Sequence, residues 1–351
     1  MTHLWVRAEQ RANEERAGLT PDGAAELLAS GLQVTVEHSL TRTFPTEAYK
    51  QVGCGIAPEA SWPDAPRDAI IFGLKELPED GTPLRHRHIM FGHAFKGQHS
   101  GNALLSRFAI GGGTLYDLEY LIDTEGRRVA AFGYWAGYAG AAVSFKAWAA
   151  QKRGGFCPAV GTYRDKAAML DDLGRDLGDT GLPRPSAIVI GALGRVGTGA
   201  ADLCEALDVI PTRWDMAETE NGGPFPEILQ HDLFFNCILA RPGTPVFVPQ
   251  TACTGLRRLS VIGDIACDPD SDYNPVPLYD RSTSWAVPVT RVHDDPPLDV
   301  MAIDNLPSLL PRESSEDFAR QLIPHLKTLD AINHGVWRRA AETFDTHVKT
   351  L

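Results

Sequence analysis

One stretch constrains the fold more than any other. Ser186 to Gly191 is a short apolar run rich in β-branched residues, the pattern of a buried strand. Gly191-Ala-Leu-Gly-Arg-Val-Gly197 follows, then Ala200 to Leu207 with helical spacing, then a second strand from Ile210 to Trp214 that ends in Asp215. Strand, glycine turn, helix, strand and acid is the order of a dinucleotide-binding βαβ unit. Glycine lets the backbone turn sharply and approach a pyrophosphate, whose charge then faces the helix N-terminus. A carboxylate closing the second strand accepts hydrogen bonds from ribose hydroxyls and repels a 2′-phosphate, so Asp215 argues for NAD over NADP. The spacing is G-x-x-G-x-x-G rather than G-x-G-x-x-G. A tight structural turn in another parallel-sheet protein could carry the same glycines, so the flanking strand, helix and acid bear the weight of the reading.

A chain of 351 residues fits two domains, and with 43% hydrophobic residues it can bury a core in each. The net charge of −12, without a basic cluster, argues against nucleic-acid binding. No apolar run is long enough to span a bilayer, and the N-terminal MTHLWVRAEQR has no signal-peptide core. The six cysteines, Cys54, Cys157, Cys204, Cys237, Cys253 and Cys267, form no CxxC pair and read as reduced thiols of a cytoplasmic protein. A monomer is expected.

The fold class expected is α/β: two Rossmann-like domains with parallel sheets and an active site in the cleft between them. Strands are expected at 3–7, 32–37, 69–74, 88–95 and 114–121, with helices at 21–30, 46–52 and 102–108. A long helix rich in Gly and Ala, 134–151, suits close packing between domains. A second α/β unit then has a helix at 166–173 closed by Gly174, the βαβ unit, strands at 233–238 and 259–266, and a segment at 300–304. Two amphipathic helices, 315–329 and 333–350, end the chain. The boundaries expected are 1–133 plus 315–351 for a discontinuous substrate domain, and 134–314 for the cofactor domain.

Parallel sheets place functional groups just past the C-terminal ends of their strands. Lys75, His93 and Asp268 sit at or near such positions. A lysine that loses water there has a lowered pKa and can serve as a base, although Lys75 also reads as a solvated turn residue. Histidine titrates near neutrality and suits proton transfer, although His93, placed within an apolar strand, also reads as a core histidine. His86, His88, His93 and His99 match no common metal-site spacing, so no metal is expected. Arg16, Arg127 and Arg128 are candidates for carboxylate or phosphate recognition, or plain surface charges.

Asn13-Glu-Glu-Arg16-Ala-Gly-Leu-Thr-Pro21 resembles the N-terminal motif of the alanine dehydrogenase and transhydrogenase superfamily. Phe72-Gly-Leu-Lys75-Glu-Leu-Pro78, His88-Ile-Met-Phe-Gly-His93-Ala-Phe-Lys96-Gly-Gln98, Gly126-Arg-Arg-Val-Ala-Ala-Phe132, Ile190-Gly-Ala-Leu-Gly-Arg-Val-Gly197 and Ile303-Asp-Asn-Leu-Pro307 narrow the resemblance. Together they resemble the NAD-dependent, lysine-forming saccharopine dehydrogenases, over almost the whole chain. The resemblance implies that saccharopine, NAD and water give L-lysine, 2-oxoglutarate and NADH. It implies acid–base roles for Lys75 and His93. Substrate-binding roles fall on Arg16, Lys75, Gln98, Arg128, Phe132, Ala266, Cys267 and Asp268. NAD-binding roles fall on Arg127, Gly194, Arg195, Asp215, Thr219, Leu239, Ile265, Ile303, Asp304, Asn305 and Leu306. The chain departs from the family at Val196, where a cysteine able to pair with the one matched by Cys237 is absent. Leu239 replaces a cofactor-contacting tyrosine, and Ala266-Cys267 replaces Ser-Ala before Asp268. These departures leave open another amino-acid or opine dehydrogenase, and, from a different class, a catalytically silent NAD-binding protein.

Overall fold

A computed structural model describes residues 1–95 and 99–351. The chain divides into two compact units, Met1–Ala131 with Pro311–Leu351, and Phe132–Leu310.

Among the described residues the first unit has strands β1 (His3–Val6), β2 (Gln33–Glu37), β3 (Gly55–Ala57), β4 (Ile70–Phe72), β5 (Arg87–Met90) and β6 (Thr114–Asp117). They form one parallel sheet in the order β3-β2-β1-β4-β5-β6. The helices are α1 (Pro21–Ala29), α2 (Thr46–Gln51) and α3 (His99–Gly111), and, from the end of the chain, α8 (Pro311–Leu326) and α9 (Gly335–Val348). Local chemistry sets their ends. Thr20 accepts a hydrogen bond from the Gly23 N–H at 3.1 Å and caps α1, whose first residue is Pro21. The central strand β4 is Ile-Ile-Phe, buried on both faces as a parallel strand under helices must be. Trp62, Phe108 and Phe344 pack with Ile71 and Met90 in the core on one side of it.

The strand expected to run through His93 stops at Met90. Beyond it Gly92 donates to a side chain rather than to a neighbouring strand, and His93 takes a left-handed φ of 49°, which no strand tolerates. The buried histidine of this segment is His88, packed edge-on against Trp62 and Phe108.

The second unit contains α4 (Gly133–Lys152), α5 (Lys166–Gly178), β7 (Ala187–Ile190), α6 (Arg195–Ala206), β8 (Thr212–Trp214), α7 (Met216–Thr219), β9 (Leu233–Asn236), β10 (Val261–Asp264), β11 (Thr290–Asp294) and β12 (Pro297–Met301). The sheet order is β11-β12-β10-β9-β7-β8, parallel except for the edge strand β11, which pairs antiparallel with β12. The sequence reading missed β11 because its residues alternate irregularly around a bulge between Arg291 and His293. Gly174 does not close α5. The helix runs on to Gly178, since Leu173 and Leu177 bury one face and outweigh one glycine. The small residues of α4 find their partner inside this unit. A Cβ at Gly137 would lie 1.8 Å from the Val196 carbonyl of α6, and one at Gly199 1.9 Å from the Tyr134 carbonyl. The two helices therefore meet backbone to backbone.

Candidate active site

In the first unit the strand order reverses direction between β1 and β4, so loops leaving adjacent strands diverge there. This is where open α/β sheets collect functional groups. Lys75 follows β4 and is held by its backbone. Its N–H donates to Glu9 at 3.0 Å, as does the Leu74 N–H at 2.6 Å. Its carbonyl accepts from the buried Arg7 guanidinium, which also pairs with Glu9 at 3.3 Å. Glycine is required at Gly73, because a Cβ there would stand 2.3 Å from Arg7 Nε. Burial lowers the Lys75 ammonium below its ordinary pKa, the positive charge of Arg16 lowers it further, and Glu14 opposes both.

Arg16 is buried and meets Glu14 in a two-pronged pair, Nε to Oε1 at 2.8 Å and Nη2 to Oε2 at 2.6 Å. Burial works to raise the Glu14 carboxyl, but the hydrogen bonds and charge of Arg16 prevail and hold it low. A substrate carboxylate reaching Arg16 therefore joins an existing ion pair.

His93, three residues past the end of β5 at Met90, has a side chain 47% exposed. Its Nδ1 stands 3.4 Å from Glu119 Oε2, and Glu119 Oε1 accepts from Arg128 Nη2 at 3.4 Å. Phe91 stacks on the imidazole with ring centroids 6.2 Å apart. The first unit thus gathers Arg16, Lys75, His93 and Arg128 past the ends of β1, β4, β5 and β6. Gln98 lies outside the described residues. Arg127 is exposed and pairs locally with Asp123 at 3.2 Å and Glu125 at 2.8 Å. It belongs to the first unit, whereas the remaining cofactor candidates belong to the second.

In the second unit the turn after β7 is shaped for close backbone approach. Gly191 has φ 88°, and the N–H groups of Gly191 and Ala192 donate to the Trp214 carbonyl at 2.9 and 3.0 Å. A Cβ on Gly197 would lie 2.1 Å from the Gly191 carbonyl. Gly194 caps α6 with no side-chain hydrogen bond, leaving the helix N-terminus its attraction for anions. Asp215 follows β8. Its Oδ2 accepts from Leu193 N–H and its Oδ1 from Met216 N–H, each at 2.9 Å. A capping box adds the Glu218 N–H as a third donor to this carboxylate, while Glu218 Oε2 accepts from the Asp215 N–H at 2.7 Å. A carboxylate has about four acceptor positions, so capacity for a ribose hydroxyl remains. Thr219 donates back to the Asp215 carbonyl at 2.9 Å. Arg195 and Leu239 are exposed at the ends of β7 and β9. Ile265, Ile303 and Leu306 are core side chains, so only their backbones can serve a ligand, while Asp304 is exposed and Asn305 half-buried.

Ala266, Cys267 and Asp268 follow β10, in the second unit, so the substrate candidates are divided between the units, with Phe132 opening the second. Burial pushes the Cys267 thiol up to about 12, which removes it as a nucleophile. Beneath this stretch, buried Asp264 accepts from Tyr279 Oη at 2.7 Å and from Asn236 Nδ2 at 2.9 Å. All six cysteines are unpaired. Among the described residues no trio of His, Cys, Asp or Glu is arranged to hold a metal ion, and no helix is long and apolar enough to cross a membrane.

Sequence reasoning missed Arg7, Glu9, Glu14, Asp117, Glu119, Glu218 and Asp264. The signal for several was present: Asp117, Glu119 and Asp264 are acids at or just past the end of an apolar run.

Two parallel-dominated α/β units, with charged groups past the strand ends of one and a glycine turn in the other, define the fold of alanine dehydrogenase and transhydrogenase. An L-alanine dehydrogenase structure matches 98% of this chain and 93% of its own at TM-score 0.67 and 19% identity. The transhydrogenase from Sinorhizobium meliloti matches 95% and 98% at TM-score 0.64 and 17% identity. The family model of the alanine dehydrogenase/PNT N-terminal domain matches residues 5–139. The saccharopine dehydrogenase [NAD(+), L-lysine-forming] of Schizosaccharomyces pombe is 44% identical, covering 99% of both chains. Those of Yarrowia lipolytica and Candida albicans are 44% and 43% identical, over 98% and 99% of this chain and 97% of each relative. The chain belongs to the family of NAD(+)-dependent, L-lysine-forming saccharopine dehydrogenases.

Proposed function

We propose that this protein oxidises saccharopine with NAD+ and water to L-lysine, 2-oxoglutarate and NADH. The observation that carries the reading is identity of 44% spread over 99% of the chain with a dehydrogenase of that reaction. The turn built from Gly191 to Gly197 and the spare acceptor capacity of Asp215 fit a dinucleotide without a 2′-phosphate.

Gly194 to Gly197 and Asp215 would hold NAD, which would supply the hydride acceptor for the carbon bearing the secondary amine of saccharopine. The protein's own side chains are left with proton management before and after that transfer. The amine must lose its proton before hydride departs, water must lose a proton as it adds to the imine carbon, and the amine nitrogen must gain one as the carbinolamine C–N bond breaks. Lys75, made less basic by burial and by Arg16, and His93, set at a neighbouring strand end, are the proposed carriers. Arg16 and Arg128 are the proposed anchors for substrate carboxylates, with Gln98, Phe132 and Ala266 to Asp268 completing the substrate set. Gly194, Arg195, Asp215, Thr219, Leu239, Ile265 and Ile303 to Leu306 are the proposed NAD contacts, with Arg127 joining from the first unit. We place the protein in the cytoplasm as a monomer; six unpaired cysteines support a reducing compartment.

The test is oxidation in the forward direction. Purified protein with saccharopine should reduce NAD+ and release lysine and 2-oxoglutarate in equal amounts. NADH formation without lysine release would reject the reading.

A further inference from the structure

We propose that Asp117 is a positioning residue for the His93–Glu119 pair, acting by clamping the backbone on both sides of it. This rests on the acid–base reading of His93. Asp117 is the last residue of β6 and is fully buried, 0% exposed. Its two oxygens go to two different loops. Oδ2 accepts from the N–H of Gly92 at 3.2 Å, and Oδ1 from the N–H of Glu119 at 2.9 Å. One carboxylate thus grips the residue immediately before His93 and the backbone of Glu119 itself. The side chains these loops carry face each other at 3.4 Å.

The grip has work to do. His93 sits at φ 49°, a conformation that strains a side-chain-bearing residue and persists only where the surroundings over-determine it. The His93 side chain is about half exposed, so burial alone does not hold it there. Gly92 is fitted against the same carboxylate: a Cβ on it would lie 2.6 Å from Leu115 Cδ2 and 3.1 Å from Asp117 Oδ2. Only an acceptor on both oxygens fits both N–H groups. Asparagine can serve one of them, and its NH2 group would oppose the other. Burial, and secondarily the charge of Glu119, push the Asp117 carboxyl up to about 6, against the two N–H bonds and His93. The buried acid is costly, and its two bonded N–H groups are what it secures.

The test is a double-mutant cycle on kcat, with the Tm of each variant measured alongside. Asp117→Asn is expected to lower kcat at least about tenfold, since misplacing a reacting group by a fraction of an ångström costs rate steeply. The KM for NADH is expected to stay within about twofold. In a His93→Gln background the same Asp117→Asn change is expected to cost less than about twofold, because the group it positions is gone. Equal losses in both backgrounds, or an unchanged kcat with only a lower Tm, would overturn the proposal and leave His93 catalytic. A silent His93→Gln would overturn the acid–base reading and this inference with it. If Asp117→Asn does not fold, Asp117→Glu, which keeps both acceptors but shifts them by a methylene, carries the same cycle with the same criteria.

Discussion

Lys75 is held by its backbone and tuned by its neighbours, and these two facts predict separable effects. Its main-chain N–H is fixed by Glu9 and its carbonyl by Arg7. Lys75→Met therefore keeps the loop and removes only the proton carrier. It is expected to lower kcat about a hundredfold, the lower end for an acid–base group, with Tm almost unchanged. A solvated turn lysine would leave kcat alone, and steady-state kinetics with a melting curve distinguish the two. Asp215 offers the opposite case, since the same carboxylate braces the turn and is the proposed partner of the cofactor ribose. Asp215→Ser keeps an acceptor for the Leu193 N–H but removes the charge that repels a 2′-phosphate. It is expected to narrow the ratio of kcat/KM between NADH and NADPH by at least about tenfold. An unchanged ratio would mean that Asp215 only braces the turn.

At the scale of elements, the three glycines of the turn have different work. Gly197 has no room for a side chain, with the Gly191 carbonyl 2.1 Å from its ideal Cβ, whereas at Gly194 the same atom is 3.4 Å away, an ordinary contact. Gly197→Ala is expected to lose on the order of 3 kcal/mol of stability, at the upper end for overpacking. Gly194→Ala is expected to melt like the wild type but to bind NADH more weakly, because the methyl group stands where a pyrophosphate approaches. Thermal melts and NADH titrations of both variants check this; a destabilised Gly194→Ala would contradict it. The strand, turn, helix and acid around these glycines were legible in the sequence because each is local: β-branched runs, glycine punctuation and helical spacing lie within about thirty residues. The strand ends were less legible. The apolar run His88 to Phe95 reads as one strand, yet the strand ends at Met90, and after a last backbone bond from Phe91 to Leu74 a carboxylate from β6 takes the Gly92 N–H. That competition is tertiary and leaves no periodic trace. The same holds for Glu9, which lies outside the motif that names its partner Lys75, and for Glu14, which lies inside the Arg16 motif without a role that spacing could assign. Short strands such as β3 carry too few residues to show alternation.

Across the whole molecule, both units place a buried acid at the end of a parallel strand, Asp117 on the edge strand β6 of the first and Asp264 on β10 inside the sheet of the second, each pushed up to about 6 chiefly by burial. A carboxyl raised above its unfolded value near 3.8 binds more protons folded than unfolded between those two values. Its favourable contribution is full below 3.8 and is lost as pH rises through about 6. Asp264 therefore weighs against the fold at neutral pH, by an amount on the order of 3 kcal/mol. Asp264→Asn is expected to gain stability relative to wild type as pH rises from 5 to 7.5, and parallel Tm curves would contradict this. The reaction is decided by its amine partner. NADH oxidation is measured at fixed 2-oxoglutarate, with L-lysine, L-ornithine, L-alanine or no amine. L-Lysine is expected to support the reaction with a kcat/KM at least about a hundredfold above the other amines, with saccharopine accumulating as NADH disappears. Equal or greater turnover with ornithine or alanine, or no turnover with any amine, would contradict it.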